Sequence, residues 1–328
     1  MFKKILLFTL ITIITIGVGY NLNAEQKTYK VGMLMLYPGK LFNTIFDGYE
    51  RALRLESLKK RIRVKTFLYN CKGNKNAVPK AIKKFESENF DVIITITTPA
   101  VLAIKKAGTK LPVVFIGVTF PVENGIVKSL KNHGSNFTGI NMHIDEEKYL
   151  KTIKLVYPDI KSIGTIYNKD DFSPVTQIKY WSKACKKHNI KFNYYPLNSK
   201  TANELEKQMD EQIIGKYDMF VMLADSKLSR IVKGIGNSAR KNKMPTFASV
   251  TGAAIENEVL FSLSPNLIKM AKQCVPITID IITKNKKISD IPLILPKDIE
   301  IVINMKISNI IGAKIPIGII KKASKVIK

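Results

Sequence analysis

The sequence predicts an α/β fold made of two similar Rossmann-like α/β/α lobes, each built on a parallel sheet. Three observations carry this. Short β-rich apolar runs lead straight into helix starts, the same junction recurs along the chain, and its order repeats in two halves. The clearest unit runs from Phe90 to Lys106. Asp91 to Ile96 is too short for a helix and suits a parallel strand buried on both faces. Thr98 is suited to cap the helix that follows and Pro99 to begin it, because the N–H that proline lacks has no partner there. Such a junction aims free amides and a positive dipole end at whatever sits above the sheet. Ser162 to Tyr167 with Ser173-Pro174, Glu258 to Phe261 with Ser264-Pro265, and Asp218 to Leu223 with Ala224-Asp225-Ser226 are further cases. Together they describe doubly wound sheets with a polar crevice along their carboxyl edges.

Taken in order, Tyr29 to Leu36 is the first strand, Tyr37-Pro38-Gly39 a loop, and Leu41 to Leu58 a helix with an apolar stripe of Phe42, Ile45, Phe46, Tyr49 and Leu53. Ile62 to Tyr69 alternates as a strand, Asn70 to Lys75 is a polar turn, and Ala77 to Glu86 is helical. After the Phe90 unit, Leu111 to Val118 forms a strand ending in Thr119-Phe120-Pro121-Val122, and Lys131 to Gly139 is a looser connection between lobes. The pattern then starts again. Ile160 to Tyr167, the helix Val175 to His188, Ile190 to Leu197 and the run after Tyr217-Asp218 repeat the roles of the first strand, the helix after it, Ile62 to Tyr69 and the run after Phe90-Asp91. Lys243 to Phe247 echoes Lys110 to Phe115, so duplication explains the order better than chance likeness. Asn266 to Ile282 is a helix that Pro276 can kink, and Ile291 to Pro296 is extended. Glu300 to Met305 is a last strand, Gly312 stops a helix begun at Lys306, and Ile317 to Ile327 closes the chain.

At 328 residues the chain exceeds what one core usually serves, which favours two domains. The net charge of +27 comes from lysines scattered over predicted helices, a solvated basic surface able to attract an anionic membrane or polymer. No recognised nucleic-acid module accompanies it, so nucleic acid is not an expected partner. At the amino terminus Lys3-Lys4, an apolar run from Ile5 to Val18 and Asn21 to Ala24 outline a secretory signal peptide over residues 1–24, the alternative being an uncleaved membrane anchor. No cysteine lies at the cut, so a lipid anchor is not expected, and no later run is long enough to span a bilayer. Cys71, Cys185 and Cys274 form neither a disulfide framework nor a zinc pattern, although their spacing leaves one pairing open.

Thr97-Thr98-Pro99-Ala100, Phe120-Pro121-Val122, Gly125 to Ser129, Asn136 to Ile140, Tyr157-Pro158, Ile163 to Asn168 and Ile301 to Pro316, in that order, resemble the ABC-transporter substrate-binding family of tryptophan- and phenylalanine-binding receptors. The resemblance covers nearly the whole chain after the signal segment. It implies a periplasmic-binding-protein type I fold, two lobes joined by a three-segment hinge, with crossings near Gly139–Met142, Ser262–Ser264 and Pro292–Lys297. The lobes would then be 28–140 with 264–291 and 141–263 with 297–328. Three departures touch the ligand. Phe120 stands where the family usually has an acid, Asp170-Asp171-Phe172-Ser173 replaces Glu-x-Asn-Ser, and Asp225-Ser226 replaces Asp-Asn.

A small zwitterion needs donors for its carboxylate, acceptors for its ammonium and a wall for its side chain. Thr97, Thr98, Ala100 and Ser173 are candidate donors, Asp171 and Asp225 candidate ammonium partners, and Tyr37, Phe120, Phe172 and Phe247 a candidate aromatic wall. Charge-assisted bonds of about 1.5–3 kcal/mol each can reach the ~8 kcal/mol of micromolar binding after its costs. Each residue also has a plainer reading: caps for the hydroxyls and Asp225, a solvated loop for Asp171, core for Phe247. His133, His143 and His188 show no metal or triad spacing, and no glycine-rich nucleotide fingerprint follows the first strand, so neither catalysis, metal nor cofactor is expected. The expected function is the extracytoplasmic solute-binding component of an ABC importer, a monomer closing on an aromatic or branched amino acid and docking on an integral-membrane permease. The alternative is a secreted ligand-sensing module for a membrane signalling protein.

Overall fold

The computed structural model describes residues 27–131, 134–256 and 258–328. The signal segment and His133 lie outside them. A first, five-stranded sheet has the order β2-β1-β3-β4-β5 and is parallel throughout. Its strands are β1 (Thr28–Met35), β2 (Arg63–Asn70), β3 (Val92–Ile96), β4 (Val113–Val118) and β5 (Phe137–Asn141). Successive residues of β3 point to opposite faces, and both faces are covered, which is why the run is apolar without a break. Val92 and Ile94 meet Ile45, Phe46 and Tyr49 of α1 (Lys40–Lys59) on one side. Ile93 meets Phe85 of α2 (Val78–Ser87) and Ile104 of α3 (Thr98–Ala107) on the other.

The second sheet has seven strands in the order β12-β11-β10-β9-β8-β6-β7. These are β6 (Ser162–Tyr167), β7 (Lys191–Pro196), β8 (Met219–Met222), β9 (Thr246–Ala248), β10 (Phe261–Pro265), β11 (Ile299–Asn304) and β12 (Lys325–Ile327). Only β10 and β11 pair antiparallel among the described strands. One face carries α4 (Glu146–Val156) and α5 (Phe172–Lys187), with Tyr149, Ile153, Trp181 and Cys185 in its core. The opposite face carries α6 (Ala202–Gln212) and α7 (Lys233–Lys241). Between β9 and β10 lies α8 (Thr251–Ile255).

The chain passes between the two sheets three times. It leaves the first after β5, returns after β10 to lay α9 (Leu267–Ile282) against α1 and β4, and leaves again after Ile294 to enter β11. Ile294 joins the two strand-like passes by donating to the Gly139 carbonyl at 2.9 Å and accepting from Asn141 N–H at 3.0 Å. Gly139 sits at φ +148, where a Cβ would run into the Phe115 carbonyl. The chain closes with α10 (Met305–Ile311) and α11 (Ile317–Lys322).

Several expectations need correction. Phe137–Asn141 is a fully buried strand, not part of a loose connection; Thr138, Gly139 and Asn141 mask it in sequence. The Glu258 run begins its strand only at Phe261, and Ser264 and Pro265 stay within it, pairing with Glu300 and Ile299. The helix after it is capped by Asn266, whose side chain accepts the Lys269 N–H at 2.8 Å, so the middle crossing falls there and not at Ser262–Ser264. Similarly Thr97, not Thr98, is the N-cap of α3, and Asp171 caps α5. All three cysteines are free and buried; burial pushes the Cys185 thiol up to about 12. Among the described residues no helix is long and apolar enough to cross a membrane.

Candidate ligand cleft

The carboxyl end of β3 turns abruptly into α3. Thr97, at the turn, has φ +83, a region costly for a β-branched residue. Its side chain makes no cap hydrogen bond, and its Oγ1 is buried without a partner. From the facing lobe, Asp171 accepts the Ser173 N–H at 3.0 Å and so presents Ser173 at the first turn of α5. Ser173 Oγ then meets Thr98 Oγ1 at 3.2 Å and also bonds Thr119 Oγ1, while Thr119 N–H donates to Thr98 Oγ1 at 3.3 Å. Three hydroxyls from two lobes thus close on one another.

The same face of α5 continues the contact, at the helical spacing of residues 173, 176 and 180. Thr176 donates to the side-chain Oδ1 of Asn124 at 3.3 Å and Tyr180 to Glu123 Oε1 at 3.0 Å. The Tyr180 ring stacks on Phe120, centroids 5.0 Å apart and 5° from parallel, with His143 4.2 Å from Phe120. The lobes are therefore shut.

Beside the hydroxyl bridge lies a cleft of about 390 Å³. Its walls are mostly apolar, from Leu41, Phe42 and Ile96 of one lobe and Met222, Val232 and Val250 of the other. Thr97, Thr98, Ser173, Asp225, Ser226 and Arg230 supply the polar points. Asp225 accepts backbone N–H groups from Asn168 at 2.6 Å and from Lys227 and Leu228 at 2.9 Å. Even so, burial holds its carboxyl above the usual range. Burial, then the charge of Asp225, pushes Asp171 up to about 7. The Arg230 guanidinium lies 4.7 Å from the centre of the Tyr37 ring, and burial raises the Tyr37 hydroxyl. One buried acid, Asp225, therefore sits in the cleft wall with the exposed Arg230 at its edge, and Asp171 lies near enough to feel the Asp225 charge.

Of the residues expected at the site, Thr97, Thr98, Ser173 and Asp225 come together in this cleft. Tyr37 lines an adjoining recess with Phe42 and Thr97. Asp171 and Phe172 face a second hollow of about 460 Å³, which shares Pro99 with the first, and Phe172 is 60% exposed. The other three stand apart from the cleft wall. Ala100 is buried among Val101, Ile104 and Phe115 in the first lobe. Phe120 packs in the aromatic contact between lobes. Phe247, on the short central strand β9, is enclosed by Tyr149 and Phe261.

Sequence reasoning missed Leu41, Phe42, Met222 and Val250, which carry no signal beyond being apolar. Arg230 had one: it is one of six arginines in a lysine-rich chain and lies just past the strand end at Asp225. His143 bonds Glu146 at 3.1 Å and His188 bonds Glu147 at 2.7 Å, both away from the cleft. Among the described residues no cluster of His, Cys, Asp and Glu could hold a metal.

The sequence profile of the family described as "ABC transporter substrate binding protein" matches residues 30–327. The chain belongs to that family. As an ABC transporter substrate-binding protein it is 26% identical over 280 residues to a tyrosine-binding protein from Clostridioides difficile, covering 85% of this chain and 79% of the relative. Its fold matches an ABC domain solved with L-Trp from Streptococcus pneumoniae at a TM-score of 0.83 and 24% identity, over 92% of this chain and 100% of that one. It also matches the ligand-free, open structure of a substrate-binding protein with adhesive properties from Clostridium difficile. That match has a TM-score of 0.72 and 23% identity, over 92% and 99% of the two chains. These matches show the type I periplasmic-binding architecture of two α/β lobes. The family works with ABC permeases on small-molecule ligands.

Proposed function

We propose that this protein is the extracytoplasmic solute-binding component of an ABC importer and holds an aromatic or branched amino acid between its lobes. The carrying observation is the cleft itself: apolar walls around about 390 Å³, an unpartnered threonine hydroxyl at a helix start, and the buried acid Asp225 opposite. That volume lies in the range of small-ligand sites. The start of α3, with Thr97 and Thr98, and Ser173 from the other lobe receive the carboxylate. Asp225 holds the ammonium, the charge of nearby Asp171 adding to its pull, and Leu41, Phe42, Met222 and Val250 enclose the side chain. The relatives named for tyrosine and solved with L-Trp support an aromatic guest.

Closure binds because only the shut form offers both sets of contacts, so ligand shifts the hinge equilibrium toward it. The closed form then docks on an integral-membrane permease, residues 1–24 having directed export. No step of chemistry is needed. Isothermal titration of the refolded chain from residue 25 onward, across the amino acids, gives saturable heat with tyrosine, tryptophan, phenylalanine or a branched residue. Absence of heat with every amino acid ends this reading.

A further inference from the structure

We propose that the carboxyl-terminal stretch from α10 onward is a contact surface for an anionic lipid bilayer. Ile307, Ile311, Ile315 and Ile319, spaced by four, sink into the core of the second lobe. Apart from the buried Ser308, most intervening positions turn outward. Lys306, Lys314, Lys321, Lys322, Lys325 and Lys328 are all exposed, and between Glu300 and the end of the chain there is no acidic residue. Elsewhere among the described residues seven lysines pair with acids, including Lys84 with Glu88, Lys187 with Glu147, Lys241 with Asp210 and Lys286 with Asp280. None of the six carboxyl-terminal lysines has such a partner among the described residues.

The same stretch of chain exposes Ile317 at 71% and Ile310 at 53%. Basic side chains around outward apolar ones match a bilayer interface, where lysines meet headgroups and the isoleucines enter the acyl boundary. A soluble polyanion would satisfy the lysines but gain nothing from the isoleucines, so the pairing favours lipid. The surface involves none of the cleft residues, and this inference stands independently of the ligand.

The test uses the processed chain, residues 25–328, which contains every described element of both lobes. Its sedimentation is measured with phosphatidylcholine vesicles with and without phosphatidylglycerol, and its binding to polyphosphate in solution. The wild type is expected to bind only the phosphatidylglycerol vesicles, less well as salt rises. Lys314→Glu, Lys321→Glu, Lys322→Glu and Lys325→Glu combined should lower that binding at least roughly tenfold. The same reversal at Lys60, Lys65, Lys80 and Lys83 on the first lobe should change it little. Ile317→Ser, an exposed change that leaves the core intact, should weaken vesicle binding and leave polyphosphate binding as it was. Equal loss from both lysine sets would reduce the effect to net charge and overturn the proposal. So would no vesicle binding, or wild-type vesicle binding by Ile317→Ser.

Discussion

Asp171 is ionised at an energetic cost, and replacing it with asparagine tests that. Its carboxyl, ordinarily near 3.8, is held at about 7 by burial and by Asp225. The folded chain therefore binds this proton more tightly than the unfolded chain does. The associated stability is greatest below pH ~4 and is lost as pH rises through ~7. At about pH 8 the charge costs on the order of 4 kcal/mol, and between about pH 5 and pH 8 the wild type loses roughly 2–3 kcal/mol through this group. Asn caps a helix about as well as Asp, so Asp171→Asn keeps the contact with Ser173 N–H while removing the titration. Thermal melts without ligand should show the variant gaining on the wild type by roughly 5–10 °C more at about pH 8 than at about pH 5. With an amino acid present at the higher pH the order should reverse, because the ammonium loses the pull of that charge. If both proteins lose the same stability across this range, Asp171 is an ordinary carboxylate and the argument fails.

Thr97→Ala removes a buried hydroxyl that has no hydrogen-bond partner within the protein. The melting temperature should equal or exceed that of the wild type, while titration shows affinity lower by roughly tenfold. Phe247→Ala should cost about 3–5 kcal/mol in urea unfolding, since it opens a hole in the second core, and leave ligand affinity in the folded fraction unchanged. Gly139→Ala should fail to accumulate as folded protein or melt far lower, because the added methyl meets the Phe115 carbonyl and the backbone conformation is one alanine rarely adopts. Tyr180→Ala removes the stack on Phe120 and the bond to Glu123. Small-angle scattering of the empty protein should then report a larger radius of gyration; an unchanged radius would mean that this contact does not hold the lobes together.

The strand-to-helix junctions were legible because they are local. Thr97, Thr98 and Ser173 lie at sheet ends whatever the rest of the chain does, and doubly wound topology brings such ends to one crevice. The aromatic wall was not, because adjacency to a strand end does not say which face a ring takes. Phe247 joins one core of the second lobe and Ala248, next to it, the other. Asp171 reads in sequence as a loop acid, and its burial comes from elements the sequence does not bring near it. Pro265 read as a helix start because Ser-Pro favours one. Its antiparallel partner Ile299 lies more than thirty residues away, and tertiary pairing overrode local preference.

The contact of Ser173 with Thr98 and Thr119 is made of uncharged hydroxyls, and this sets how the molecule waits for its guest. Apart, each hydroxyl is served by water; together, they serve one another, and the exchange is nearly even in free energy. These bonds add little bias of their own and the Tyr180–Phe120 stack tips the balance toward the shut form, so an unoccupied molecule samples it often and a weakly held guest suffices to retain it. A permease of the kind this family works with would then have to tell full from empty by something other than shape. Relaxation-dispersion NMR on the empty protein should detect this swing; a single, static open form would refute it.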